Sequence, residues 1–148
     1  MSADAAIAAL ASIQRQVDEL SRMPRKLAAA CAPEITKLLQ AGYRAGTDPY
    51  GRAWRRLRPA TLAKHGPPPL THHGKLRDGT RARLLDGNRA GLSIVVGKPY
   101  GAFHQVGFRV HDTKVAPRRV LPAFGMPASW REVFKVQAAR LAAEARRA

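Results

Sequence analysis

The stretch Leu76-Arg77-Asp78-Gly79-Thr80-Arg81-Ala82-Arg83-Leu84-Leu85-Asp86-Gly87-Asn88-Arg89-Ala90-Gly91-Leu92-Ser93-Ile94-Val95-Val96 holds the one clear strand-turn-strand pattern in the chain. In its first nine residues Leu76, Ala82 and Leu84 fall on even positions, and Arg77, Arg81 and Arg83 on odd ones. A period of two puts these sets on opposite faces of a strand. Asp86-Gly87 supplies the positive-φ chemistry of a tight hairpin turn, and Leu92, Ile94 and Val96 then share a face on the return. The reading is a hairpin with one side to bury and an arginine side left for another task.

Around this core, an α+β fold is expected: a small antiparallel sheet packed with an N-terminal helical region and a C-terminal helix. The 148 residues suit a single domain that buries roughly 70% of the surface its unfolded chain exposes. Within it, residues 1–46 read as helical, 47–75 as a turn and an extended basic loop, 76–122 as the β-rich core, and 128–148 as the last helix. Ile7, Leu10, Ile13, Val17 and Leu20 recur at helical spacing, predicting an amphipathic helix over Ala3–Arg22 whose stripe packs on the domain's own sheet, with a partner-helix seam as the alternative. Pro24 is expected to break or kink it and to start a second helix. Leu27, Cys31, Ile35, Leu38 and Leu39 continue a buried face to about Tyr43, interrupted by Pro33, with Cys31 a small core residue.

Asp48-Pro49-Tyr50-Gly51 is turn chemistry, with Pro49 setting φ and Gly51 supplying the conformation other residues avoid. Trp54 reads as the anchor that holds this turn on the core, and Arg52, Arg55, Arg56 and Arg58 surround it. Lys64 to Lys75, with three consecutive prolines, predicts an exposed extended loop of the kind that reaches a neighbouring subunit. Tyr100 to Phe108 predicts one or two helical turns with Tyr100, Phe103 and Val106 or Gly107 inward, and a His104 ring bonded to nearby backbone. Val115 to Pro122 reads as an edge strand carrying Arg118 and Arg119. Ser129 and Glu132 form a capping-box pattern whose loss in Ser129→Ala would cost on the order of 1 kcal/mol.

Charge narrows the function classes. Of the formal net +16, residues 52–119 contribute +12, with fifteen Lys/Arg against three Asp/Glu. Such a concentration implies an acidic partner, either nucleic acid or an anionic protein surface. A lone cysteine rules out an intramolecular disulfide, and His72-His73 lacks the carboxylates and spacing of a metal site. No cofactor is implied. No apolar run approaches the ~20 residues of a membrane span, and Asp4 stands where a signal peptide would be basic, so folding in the cytosol is expected. His104 or His72 could serve a small hydrolase or nuclease, but the basic middle offers only Asp78, Asp86 and Asp112 to hold a metal.

Taken in order, these features resemble the virion morphogenesis family of tailed phages, the tail-completion or head–tail joining proteins of Mu-like phages. The resemblance lies in Pro49, Gly51 and Trp54 as a Pro-x-Gly-x-x-Trp turn, then Pro59, Thr61 and Leu62, then Gly74, Leu76 and Arg77. It continues through Tyr100, His104, Gln105 and Gly107 as an aromatic-x-x-x-His-Gln-x-Gly turn, and through Pro117 and Arg119. Val120 departs from the pattern where a second proline is common, as does the residue near Gly79 where serine often follows. The resemblance implies a non-enzymatic virion protein in the neck or tail, assembled in the host cytoplasm. It implies partnership with itself in a ring, commonly six-fold, with the phage connector or adaptor and with tail-tube or terminator proteins, and with DNA passing through the neck. Two alternatives stay open: a tail-tube terminator ring, and a nucleic-acid-binding protein without sequence specificity. In either case Arg52, Arg55, Arg56, Arg58, Arg77, Arg81, Arg83, Arg118 and Arg119 are the expected contacts. Pro49, Gly51, Trp54, Tyr100, His104, Gln105 and Gly107 are the expected structural anchors.

Overall fold

The computed structural model describes residues 3–71 and 73–147 and has an α+β architecture; His72 lies outside the described residues. A long helix α1 (Ala3–Ala45) is followed by two short ones, α2 (Pro59–His65) and α3 (Lys75–Gly79). The hairpin β1 (Arg81–Leu84) and β2 (Leu92–Val95) comes next, then α4 (Gly101–Val106), a second small hairpin β3 (Phe108–Val110) and β4 (Thr113–Val115), and α5 (Ala128–Arg147). Both hairpins are antiparallel and they form two separate two-stranded sheets.

Helix α1 runs unbroken through Pro24 and Pro33, against the expectation of two helices. Both prolines sit on its exposed side. A carbonyl that loses its amide donor on an exposed side is open to hydration, so the missing bonds cost little. The 43-residue helix is about 65 Å long at about 1.5 Å per residue, and its two halves have different surroundings. Ala28, Cys31, Ile35, Leu39 and Tyr43 are buried, whereas Ile7, Leu10, Ile13, Val17 and Leu20 are between 53% and 67% exposed. The N-terminal stripe therefore does not pack on the sheet.

Only Arg81–Leu84 of the first expected strand is a strand; Lys75–Gly79 is a helical turn. The reason lies in the even positions of Leu76 to Leu84, which include Asp78 and Thr80 as well as Leu76. A nine-residue strand would aim a carboxylate at the core, and an unpaired buried charge is far costlier than a turn. The helical turn buries Leu76 and leaves Asp78 exposed. Arg77 accordingly leaves the hairpin's arginine face and pairs with Asp78 instead, Nε to Oδ1 at 2.8 Å. That bond holds the Asp78 carboxyl below its usual pKa.

Within the hairpin, Ala82 pairs with Ile94 and Leu84 with Leu92, so the apolar face is built as the alternation requires. Its connection is a longer loop than the tight turn expected, closed by the Leu85 amide on the Gly91 carbonyl at 3.1 Å. Arg25 of α1 donates to the Leu85 and Arg89 carbonyls at 3.3 and 3.0 Å, supporting the loop from the helix side. Thr36 Oγ1 accepts the Ala82 amide at 2.9 Å, fixing β1 across α1.

Two apolar clusters hold the body. In the first, Cys31, Ile35 and Leu39 of α1 meet Ala82 and Trp130, with Ile94 and Phe134 packed around them. In the second, Tyr43, Trp54, Leu76 and Val120 are joined by Leu70 and Leu121. Tyr43 donates to Thr80 Oγ1 at 3.0 Å, and Thr80 in turn donates to the Leu76 carbonyl at 2.8 Å, so both buried hydroxyls are satisfied.

Three further expectations are corrected. Part of the loop expected to be extended is helix α2, started by Pro59 at its first position. The proline run folds back on the end of α1, where Pro68 and Pro69 lie against Gly46 and Leu70 joins the second cluster. Val115 is the last residue of β4, and Ala116–Pro122 has no strand partner. Pro117 and Pro122 cannot donate to a ladder. At the last helix, the Trp130 and Arg131 amides bond to the carbonyl of buried Pro127, at 3.1 and 3.0 Å. Ser129 thus lies inside the first turn, exposed, and Glu132 approaches Lys135 at 3.9 Å instead of reaching back. Ser129→Ala loses its reason to be costly.

Candidate cationic interface

The structure brings two basic segments side by side, residues 50–56 and 118–125. The turn is built on Asp48, whose Oδ1 accepts the Tyr50 and Arg52 amides, both at 2.9 Å. Pro49 lies within it, and Gly51 at φ 82° donates to the Asp48 carbonyl at 3.0 Å. Trp54 leaves the turn inward, only 8% exposed, with its ring edge-on to Tyr43 at 5.6 Å. Its Nε1–H donates to the Arg119 carbonyl at 2.9 Å.

Two more ties join the segments. Arg118 donates from Nε to the Arg55 carbonyl at 3.1 Å and from Nη2 to the Arg56 carbonyl at 3.4 Å. Tyr50 donates its hydroxyl to the Gly125 carbonyl at 2.7 Å and accepts the Phe124 amide at 2.6 Å. The Arg118 guanidinium is thereby held by backbone carbonyls and not by a carboxylate. Half-burial, and after it the neighbouring Arg55 charge, lower the Arg118 pKa from the usual arginine value. Arg52 lies over the Tyr50 ring at 5.8 Å and Arg119 over the Phe124 ring at 5.0 Å, while Phe124 is 68% exposed. The edge therefore alternates arginine with aromatic surface. Arg58, exposed, continues the chain into α2.

The other expected contacts lie on different elements. Arg81 and Arg83 are exposed on the outer face of β1, and Arg83 is 4.0 Å from Asp86. Arg77 is paired with Asp78, as described. None of Arg52, Arg55, Arg56, Arg58, Arg81, Arg118 and Arg119 takes part in the ion pairs among the described residues.

Helix α4 supports this edge from beneath. Its inward residues differ from those expected: Gly101 is buried against Val96 and Leu76, whereas Tyr100, Phe103 and Val106 are 44%, 58% and 74% exposed. A helix that approaches the body through a glycine brings its backbone close, so the side chains flanking Gly101 point away. Gln105 Oε1 accepts the Val120 and Leu121 amides, both at 3.0 Å, and Nε2 donates to the Leu121 carbonyl at 3.0 Å. A side chain thus substitutes for the absent strand partner of residues 116–122. Gly107, at φ 81°, ends α4 where a Cβ would lie 2.8 Å from the Val115 carbonyl oxygen.

His104 also departs from expectation, since its buried Nδ1 has no hydrogen-bond partner. Its ring packs edge-on to Phe108 at 5.5 Å and to Tyr100 at 6.3 Å. Burial first, then the Arg118 cation, hold its pKa below the usual histidine value, favouring the neutral ring. Gln105→Leu, which strands two amides and a carbonyl, is expected to lower stability by about 2–4 kcal/mol; an unchanged thermal midpoint would show that water replaces the clamp.

A cleft of about 680 Å³ lies beside the edge, lined by Leu38, Tyr43, Tyr50, Phe124, Met126 and Trp130 among others. Among the described residues, no group of three or more His, Cys, Asp or Glu side chains could hold a metal ion. No helix among them is long and apolar enough to cross a membrane. The residues that sequence reasoning missed as partners are Tyr50 and Phe124; the only signal was their proximity to arginine in sequence, Tyr50 two before Arg52 and Phe124 five after Arg119. Comparison with protein-family models, with curated proteins and with solved structures returned no match for this chain.

Proposed function

We propose that this chain is an architectural component of a tailed-phage virion, a tail-completion or neck protein whose cationic edge is covered on assembly by an acidic neighbour or by the DNA end. The observation that carries the reading is Arg118, whose guanidinium is fixed by hydrogen bonds to the main-chain carbonyls of Arg55 and Arg56 and which, like the side chains of those two residues, takes part in none of the ion pairs among the described residues. Positive charge ordered in advance loses little further freedom when an anion covers it. The order of the Pro49-Gly51-Trp54 turn, the His104-Gln105-Gly107 turn and the Pro117-Arg119 segment supports this class of virion protein. The expected result is a ring of the chain at the head–tail junction in images of purified particles. Its absence from complete particles would end the proposal.

A second reading, direct binding of nucleic acid without sequence preference, is favoured by the exposed Phe124 and the Tyr50 ring interleaved with Arg119 and Arg52. Aromatic faces stack on any base, and arginines track phosphates. On this reading, DNA affinity falls steeply with salt. Replacing Arg52, Arg55 and Arg56 together with alanine is expected to lower the slope of log affinity against log salt by about 3. Filter binding over a salt series measures it, and an unchanged slope would place the phosphates elsewhere.

A further inference from the structure

The N-terminal half of α1 keeps its apolar stripe exposed among the described residues. No residue from Asp4 to Arg22 is buried, and the five large apolar side chains of its stripe are the ones most in need of cover. Leu10, Ile13, Val17 and Leu20 follow the alternating three- and four-residue spacing of the a and d positions of a heptad. In that register every charge lies on the outer side, Asp4 and Asp18 at b, Glu19 at c, Arg15 and Arg22 at f. The flanking e and g positions hold Ile7, Ala9, Gln14, Gln16, Ser21 and Met23, none of them charged. Charges at those positions are what normally reject an identical partner.

Charge also says which partner fits. Residues 3–23 carry two arginines against three carboxylates, whereas the rest of the chain carries 24 Lys/Arg against seven Asp/Glu. Two copies meeting through their bodies would oppose like charge; two copies meeting through this segment would not. The seam also has a defined end. Pro24 takes the next a position, and Leu27, the next d, packs against the first cluster of the chain's own core. The apolar face of one continuous helix thus passes from uncovered to covered at Pro24.

We propose that residues 3–23, about 30 Å of helix, pair as a coiled coil with the same segment of a second copy of this chain. The inference does not rest on the virion reading, since a nucleic-acid-binding protein would use the same seam. Sedimentation of the full chain across a concentration series tests it, alongside Val17→Glu at the seam and Arg15→Gln on the outer side. The native chain is expected to self-associate reversibly, and Arg15→Gln to sediment like it. Val17→Glu, which forces a carboxylate into the seam, is expected to weaken association by about 100-fold or more. Both tryptophans, Trp54 and Trp130, belong to the body, so unchanged fluorescence of Val17→Glu shows that the body remains folded. A native chain that stays monomeric throughout, or a Val17→Glu variant that associates as the native chain does, overturns the proposal. Neither outcome alters the particle-imaging or DNA tests.

Discussion

Trp54→Ala is expected to remove about 3–5 kcal/mol of stability and, in the same step, to disorder the cationic edge. The two effects have one cause. Trp54 fills the second cluster between Tyr43, Leu76 and Val120, and its indole N–H is the bond that ties the 50–56 segment to Arg119. Truncation leaves a cavity where the ring stood and an Arg119 carbonyl without its donor, and packing there cannot collapse freely because Tyr43 is also held through Thr80. Denaturant unfolding followed by helix signal measures the stability loss, and amide exchange at residues 118–120 measures the release of the edge. A variant with the native midpoint and native protection would show that the ring is dispensable to both.

Gly97→Ala is expected to cost about 3 kcal/mol or more, although Gly97 is exposed. The backbones of Gly79, at the end of α3, and Gly97, just beyond β2, pass in direct contact. A Cβ on Gly79 would lie 2.7 Å from the Gly97 Cα, and one on Gly97 would overlap the Gly79 Cα and lie 2.7 Å from its carbonyl carbon and oxygen. Backbone atoms cannot rotate out of the way as the tip of a flexible side chain can. The added methyl must therefore push α3 away from the hairpin, pulling Leu76 out of the second cluster or unpairing Arg81 from Val95. Loss of amide protection across Arg81–Leu84, with a lowered urea midpoint, is the expected pattern. An alanine accommodated at both positions without loss would show that the crossing is looser than the distances indicate.

How much was legible from the chain varies by element, and each case has a local reason. The 81–84 and 92–95 pairing was readable because alternation there is undisturbed. The misreading began at Asp78, whose carboxylate a two-residue period would place on the buried face. Pro24 and Pro33 marked breaks on the page, yet both fall on the exposed side of α1, where a missing donor costs little. Ser129 and Glu132 carried a capping pattern, but buried Pro127 starts the helix earlier. At the candidate interface, the abundance of arginine was plain, and its grouping was not. Arg118 meets Arg55 and Arg56 from 63 and 62 positions away in the chain, and Gln105 orders Val120 and Leu121 through side-chain bonds that no periodicity encodes.

By itself the sequence determined the helical segments at the two ends and the pairing of 81–84 with 92–95, which side of each is apolar, and where along the chain positive charge accumulates. These follow from backbone geometry and composition, properties of neighbours in sequence. Only the tertiary structure decided what covers each apolar side: the stripe from Cys31 to Tyr43 is closed over by the hairpin, α5 and the Trp54 turn, while that from Ile7 to Leu20 stays more than half exposed among the described residues. Periodicity identifies a face, but burial depends on what a distant segment brings to it.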